Sequence, residues 1–305
     1  MKILFAGTPE IAVTVLGGLV NSGHEVVSVL TRNDAPVGRK RIVTPSPVAT
    51  YAAAKNIPTI KANRIDLKTL PELTGSGADL GVVVAYGSIL NKQALDSLPE
   101  GWYNLHFSLL PKYRGAAPVQ RAILNGETET GVTLFRLDEG MDTGPILGQV
   151  PTTIAPDETS GELLQRLAHL GVTLLNEQLP RIYASNQVLS PQPPEGTSAP
   201  KLHRDEARID FSNDAGLICN LIRAANPEPG AWSTYDGLTS KILSARIVPD
   251  QRHVEIGTVL NLDGKPVVVC DGGSLIEIAT IQPSGKSVMT GEAWLRGIRE
   301  FGKFS

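Results

Sequence analysis

The chain has 305 residues, 41% apolar and 19% charged, which suffices for two domains with buried cores and excludes a chain disordered by composition. A net charge of -3 excludes nucleic-acid binding by bulk positive charge, though not by a local basic patch, and 5% aromatic residues exclude an array of base-stacking platforms. No window approaches the ~18 apolar residues of a spanning helix, and the run Ile3–Ala6 is too short for a secretory core, so the sequence predicts a soluble, cytoplasmic protein.

In chain order, Lys2 to Ala6 reads as a strand stopped by Gly7-Thr8-Pro9. A helix follows from Pro9, with Ile11, Val15, Leu16, Leu19 and Val20 on one face, and ends near Gly23. Further strands are expected at Glu25–Leu30, Leu80–Ala85, Trp102–Phe107 and Val132–Leu137. Val82-Val83-Val84 is too continuous for a one-sided sheet, which points to an α/β fold with a Rossmann-like, mostly parallel sheet covered on both faces. A long helix spans Asp157–Ile182, opened by a capping box from Thr159 to Glu162.

Pro191, Pro193, Pro194, Gly196 and Pro200 then crowd one stretch, which reads as a semi-rigid linker. Beyond it, a helix near 214–225 precedes short apolar runs broken by Pro229-Gly230, Asp236-Gly237, Asp263-Gly264 and Gly272-Gly273, the pattern of a small β-barrel or sandwich. The expected organisation is a first domain over 1–187, a linker over 188–203 and a smaller β-rich domain over 204–305. Cys219 and Cys270 lie far apart among apolar neighbours, as buried free thiols do.

Asn104 and His106 share one face of their strand, and Pro111 and Gly115 force the chain out of the sheet just beyond them. Open α/β sheets place ligand crevices at such strand ends. A carboxamide beside an imidazole can polarise a carbonyl and stabilise the oxyanion formed when a nucleophile adds. The plainer reading is a histidine satisfied by a local hydrogen bond. Asp142 lies in the loop after Val132–Leu137. If the two strands are neighbours, its carboxylate can face His106, fix the tautomer and assist proton removal. Otherwise it is a turn residue beside glycine.

Arg39, Lys40 and Arg41 follow Gly38 on a loop after the second strand, at the same sheet edge, and are a candidate RNA arm or else a solvated face. G-x-G-x-x-G is absent and Glu10 at the helix start repels phosphate, against a dinucleotide. The five histidines form no metal-binding pair, so no metal is expected.

Asn104-x-His106-x-Ser108-Leu109-Leu110-Pro111-x-Tyr113-Arg114-Gly115-x-Ala117-Pro118, followed by Asp138-x-Gly140-x-Asp142-Thr143-Gly144, resembles the signature of the 10-formyltetrahydrofolate-dependent formyltransferases. Phe5-Ala6-Gly7-Thr8-Pro9, Pro45-Ser46-Pro47-Val48, Val84–Gly87, Ile222–Ala231 and Gln282–Met289 extend the likeness over the chain. It implies Asn104, His106 and Asp142 as catalytic residues, Ser108, Leu109, Leu110 and Pro111 against the folate, and Ala85, Tyr86 and Gly87 beside its pteridine. It also implies 10-formyltetrahydrofolate as co-substrate without metal or nucleotide. The acceptor would be the α-amine of charged initiator methionyl-tRNA, gripped by Arg39, Lys40 and Arg41 and by an OB-like barrel, with the enzyme a monomer away from membranes.

The carboxy-terminal part carries eleven Lys/Arg against thirteen Asp/Glu, so RNA binding there requires one-sided placement of its cations. Ile11, Ala225 and Glu228 depart from the family's usual aromatics. The competing readings are a dinucleotide oxidoreductase, an RNA-binding protein with a degenerate site, and a formyltransferase for an amino sugar, which should lack both the basic arm and the second domain.

Overall fold

The computed structural model describes residues 1–38 and 40–305. The elements run β1 (Lys2–Gly7), α1 (Glu10–Asn21), β2 (Glu25–Thr31), β3 (Ala35–Val37), β4 (Ile42–Thr44), α2 (Pro47–Ala54), β5 (Thr59–Lys61), α3 (Thr69–Gly75), β6 (Leu80–Val84), α4 (Lys92–Leu95) and β7 (Trp102–His106). They continue with α5 (Pro118–Leu124), β8 (Glu129–Arg136), β9 (Ile146–Thr153), α6 (Ser160–Tyr183), α7 (Ala215–Ala224), β10 (Trp232–Tyr235), β11 (Leu238–Val248), β12 (Val259–Leu262), β13 (Lys265–Val269), β14 (Leu275–Pro283), β15 (Met289–Thr290) and α8 (Gly291–Arg296). Two compact units form, one from Met1–Pro118, Thr130–Thr152 and Leu164–Ala199, the other from Val119–Glu129, Thr153–Leu163 and Pro200–Ser305.

The first unit holds a sheet in the order β5-β2-β1-β6-β7-β8-β9. From β5 to β7 every pairing is parallel, and β8 runs antiparallel to β7. All five residues of β6 are buried, as its unbroken apolar run requires. Gly81 exists because the Trp102 indole occupies the space of its missing Cβ, and the indole N–H donates to Ala94 O at 2.7 Å. On the other face of β7, Leu105 fills the space beside Gly171 of α6. The expected capping box is present: Glu162 accepts from Thr159 N at 2.9 Å, and Thr159 Oγ1 accepts from Glu162 N at 3.3 Å.

Strand order reverses between β1 and β6, so the crevice beyond their carboxyl ends, flanked by Gly7-Thr8 and Ala85–Gly87, is the topological switch point of the sheet. Thr8 Oγ1 donates to Tyr86 O at 2.8 Å across it.

The stretch expected as a linker does not hang free. Arg114 N donates to Thr197 O at 2.8 Å, Ala199 N to Arg114 O at 2.6 Å, and Ala117 N to Ala199 O at 3.0 Å. Up to Ala199 it is therefore a backbone splint along the segment that follows β7.

The second unit is an antiparallel half-barrel in the order β10-β11-β14-β13-β12, with β15 on β14. Its core gathers Ile218 and Ile222 of α7, Ile242, Ile276, Ile281, Trp294 and Phe304, together with the buried free thiols Cys219 and Cys270. Burial raises both thiols, Cys219 to about 11 and Cys270 to about 12, which leaves them protonated and unreactive.

Candidate active site

β7 ends at the switch-point side of the sheet, and its alternation sets Asn104 and His106 on one face as expected. His106 is buried, with its ring edge-on to Phe135 at 6.4 Å between centroids. Its Nε2 lies 2.9 Å from Tyr113 O. A carbonyl can only accept, so Nε2 carries the hydrogen and Nδ1 keeps its lone pair. Nδ1 faces Asp142 Oδ2 at 3.8 Å, beyond hydrogen-bond reach. The tautomer-fixing role expected of Asp142 thus belongs to the main chain at Tyr113. Burial pushes the imidazole below its ordinary range, while the Asp142 charge and then the Tyr113 carbonyl oppose that shift without cancelling it. His106 is a neutral base at pH 7, and it binds an oxygen through Nδ1 only after taking up a proton.

Asp142 accepts from Gly115 N at 2.7 Å. A donor seated between Nδ1 and Oδ2, at an ordinary ~2.8 Å from each, spans their separation. Asn104 is half-buried, and its carboxamide makes no hydrogen bond among the described residues, so its amide is available to a ligand.

Ser108 to Pro111 are pinned rather than mobile. Ser108 Oγ donates to Lys112 O at 2.6 Å, Thr133 Oγ1 donates to Ser108 O at 2.6 Å, and Gln149 Nε2 donates to Leu110 O at 2.9 Å. The Ser108 hydroxyl is thereby engaged, Leu110 is buried, and Leu109 and Pro111 are half-buried. Ala85 and Gly87 present exposed backbone, both at positive φ, whereas Tyr86 points into the core and donates to Ala62 O at 2.6 Å. Burial lifts the Tyr86 phenol to about 12.

The basic segment is a two-stranded hairpin, β3 on β4, rather than a plain loop. Lys40 and Arg41 are exposed at its tip, and Arg39 lies outside the described residues.

Two contributors have no signal in motif or spacing, Thr133 through its hydroxyl and Gln192, while Tyr113 and Gly115 stand in the motif but act through a carbonyl and an N–H that residue type does not reveal. Gln192 sits in the proline-rich stretch, where composition suggests only a spacer. Among the described residues no group of three His, Cys, Asp or Glu side chains is placed to hold a metal ion.

The Formyl transferase family model matches residues 1–179, and that of the Formyl transferase C-terminal domain matches residues 201–299. The methionyl-tRNA formyltransferase of Arthrobacter sp. (strain FB24) is 48% identical over 297 residues, covering 97% of each chain. That of Paenarthrobacter aurescens (strain TC1) is 45% identical over 298 residues, covering 98% of this chain and 97% of the relative. An N-formyltransferase from Helicobacter canadensis, solved with folinic acid and dTDP-3-aminofucose, shares the fold with a TM-score of 0.66 at 23% identity, over 93% of this chain and 99% of that one. So does the methionyl-tRNA formyltransferase from Clostridium thermocellum, with a TM-score of 0.55 at 16% identity over 82% and 94% of the two chains. With both family models matched in order, and relatives above two-fifths identical from end to end, the chain belongs to the formyl transferases, in their methionyl-tRNA formyltransferase branch.

Proposed function

We propose that this enzyme transfers the formyl group of 10-formyltetrahydrofolate to the α-amine of methionyl-tRNA, the modification that marks initiator tRNA for translation. The observation that carries the chemistry is a buried neutral imidazole whose lone pair faces a carboxylate 3.8 Å away, beside an unengaged carboxamide at a strand end. The folate co-substrate supplies the formyl carbon as electrophile. The residues fit it: exposed backbone at Ala85 and Gly87 borders the switch point, and the Ser108–Pro111 segment is rigidly held.

Asn104 donates its amide hydrogen to the oxygen that gains charge as the amine adds. His106 Nδ1 takes the proton that the attacking nitrogen must lose, and Asp142 stabilises the resulting imidazolium. The departing folate nitrogen needs one proton, and His106 returns the one it took, so the cycle closes without external acid or base. The nucleophile belongs to the substrate, and no side-chain nucleophile is required.

Catalysis is assigned to Asn104, His106 and Asp142, folate binding to Ser108–Pro111 and Ala85–Gly87, and acceptor-stem contact to Arg39, Lys40 and Arg41. By domain, catalysis falls to residues 1–187 and tRNA binding to 204–305, with 188–203 between them. The enzyme acts as a monomer in the cytoplasm, where its acceptor is charged. An amino-sugar enzyme also aligns over 93% of this chain, so the presence of a second domain does not separate the two readings. Identities of 48% and 45% to methionyl-tRNA formyltransferases against 23% to that enzyme, and the basic hairpin, favour a charged tRNA over an amino sugar as acceptor. The test is formyl transfer from 10-formyltetrahydrofolate to charged initiator tRNA, charged elongator tRNA, free methionine and an amino sugar. Transfer confined to initiator tRNA is expected. Equal transfer to the amino sugar would overturn the reading.

A further inference from the structure

Because β8 runs antiparallel to β7, the loop carrying Asp142 starts at the wrong end of the site. Arg136, the last residue of β8, pairs with Tyr103, and Leu137 N donates to Trp102 O at 2.7 Å. His106 lies three residues further along β7, about 10 Å away at ~3.3 Å per residue. The loop must fold back over the sheet, and Asp142 holds φ 55°, a left-handed conformation that a non-glycine residue keeps only when its surroundings fix it.

The fixing group comes from the proline-rich stretch. Gln192 Nε2 donates to Asp142 O at 2.9 Å and to Gly144 O at 2.7 Å. Its Oε1 accepts from Arg114 Nη2 at 2.9 Å and Nε at 3.2 Å. Arginine only donates and carbonyls only accept, so one amide orientation alone satisfies both sides. Arg114 is the residue between Tyr113, whose carbonyl holds His106, and Gly115, whose N–H holds the Asp142 carboxylate. Arg114 Nη2 and Nη1 also donate to Pro193 O at 3.0 Å and Pro194 O at 3.3 Å. The bonded ring Arg114–Gln192–Asp142–Gly115 is thus closed, with His106 held on the same segment by the Tyr113 carbonyl.

We propose that Gln192 is a positioning residue for the formyl transfer: its carboxamide locks the Asp142–Gly144 backbone to Arg114 and so sets the carboxylate against His106. The proposal rests on the catalytic reading of His106 and Asp142 given above. Asp142 is the one charged group acting on His106 among the described residues, so any drift of that loop is felt at the imidazole.

Turnover and KM are measured for Gln192→Ala and Gln192→Glu, each alone and combined with Asp142→Asn, and the His106 imidazole is titrated by NMR in each. Gln192→Glu keeps the size and the acceptor for Arg114 but loses both donors, so it reports even if Gln192→Ala folds poorly. A loss of Asp142 placement should lower kcat about 10- to 100-fold, with KM for folate and tRNA within about threefold of the parent. The imidazole titration, and the acid limb of kcat, should move to lower pH. In the Asp142→Asn background the same change should cost less than about twofold, because the group it positions is already disabled. An equal loss in both backgrounds with an unmoved titration, or parental activity in Gln192→Glu, overturns the proposal. A parent protein that transfers no formyl group overturns the functional reading instead, and the NMR titration still tests the placement.

Discussion

Asp142→Asn isolates the charge of the carboxylate from its shape. The variant keeps an oxygen to accept the Gly115 N–H, now at 2.7 Å, and loses only the negative charge. In the parent that charge lies 3.8 Å from His106 Nδ1. Two unit charges at that distance attract by about 4 kcal/mol at an effective dielectric of ~20. The Asp142 side chain is 15% exposed, so solvent screens part of this and the figure is a ceiling. The attraction exists only while the imidazole is protonated, the state reached as the amine gives up its proton, and each ~1.4 kcal/mol is tenfold in rate. Turnover should therefore fall by up to about three orders of magnitude. The pH profile adds a sign. Burial already holds the imidazole low and Asp142 partly offsets it, so removing the charge lowers it further, and the acid limb moves to lower pH. Single-turnover formyl transfer over a pH series measures both. A variant within a few-fold of the parent, with its limb unmoved, refutes the role of Asp142.

Asn104→Ala and His106→Ala should each lower turnover by about 10²–10³ with unchanged thermal unfolding, and activity within a few-fold of the parent would remove either from the chemistry. Replacing Arg39, Lys40 and Arg41 together with Ala should weaken tRNA binding and make the log–log salt slope shallower by up to about 3, while folate binding, followed by fluorescence, stays intact. His106 titrates below the usual ~6.5 in the folded state, so in that window the unfolded chain binds more protons. Stability is therefore lost as pH falls from about 6.5, by up to ~1.4 kcal/mol per unit, and His106→Gln should flatten that slope in calorimetric unfolding. Gly81→Ala would drive a methyl group into the Trp102 indole, and it should cost about 1–3 kcal/mol in urea unfolding while leaving the site residues in place.

β1, α1, β2, β6, β7 and α6 are legible in the sequence because each is a long, sharply bounded apolar pattern, and the capping box at Thr159 announces the last of them. β3, β4 and β5 are not, being three residues each, too short for any periodicity. At the site, strand alternation suffices to pair Asn104 with His106, and the loop of Asp142 is correctly placed after β8. The direction of β8 is another matter. Spacing leaves open both whether the two strands are neighbours and which way they run, and so hides the need for a clamp that brings Asp142 back. The proline stretch misleads for a related reason: Pro191, Pro193 and Pro194 lack N–H groups, yet carbonyls and the Gln192 side chain between them do the bonding. Composition registers missing donors and cannot register where acceptors point.

The grip on both members of the acid–base pair is made of peptide groups, Tyr113 C=O on His106 and Gly115 N–H on Asp142. Side-chain replacement cannot delete a peptide group, so alanine scanning across Tyr113–Gly115 samples packing of the Tyr113 ring and the Arg114 contacts while leaving the two grips untouched. That holds at Tyr113 and Arg114 but not at Gly115, where adding a side chain acts on the backbone itself. Gly115 has φ +126°, and a Cβ there would lie 2.8 Å from Ala199 O. A methyl group at this one position therefore perturbs the peptide plane that holds Asp142 without altering a single functional side chain, and the pair is as vulnerable at a glycine as at its own titrating atoms.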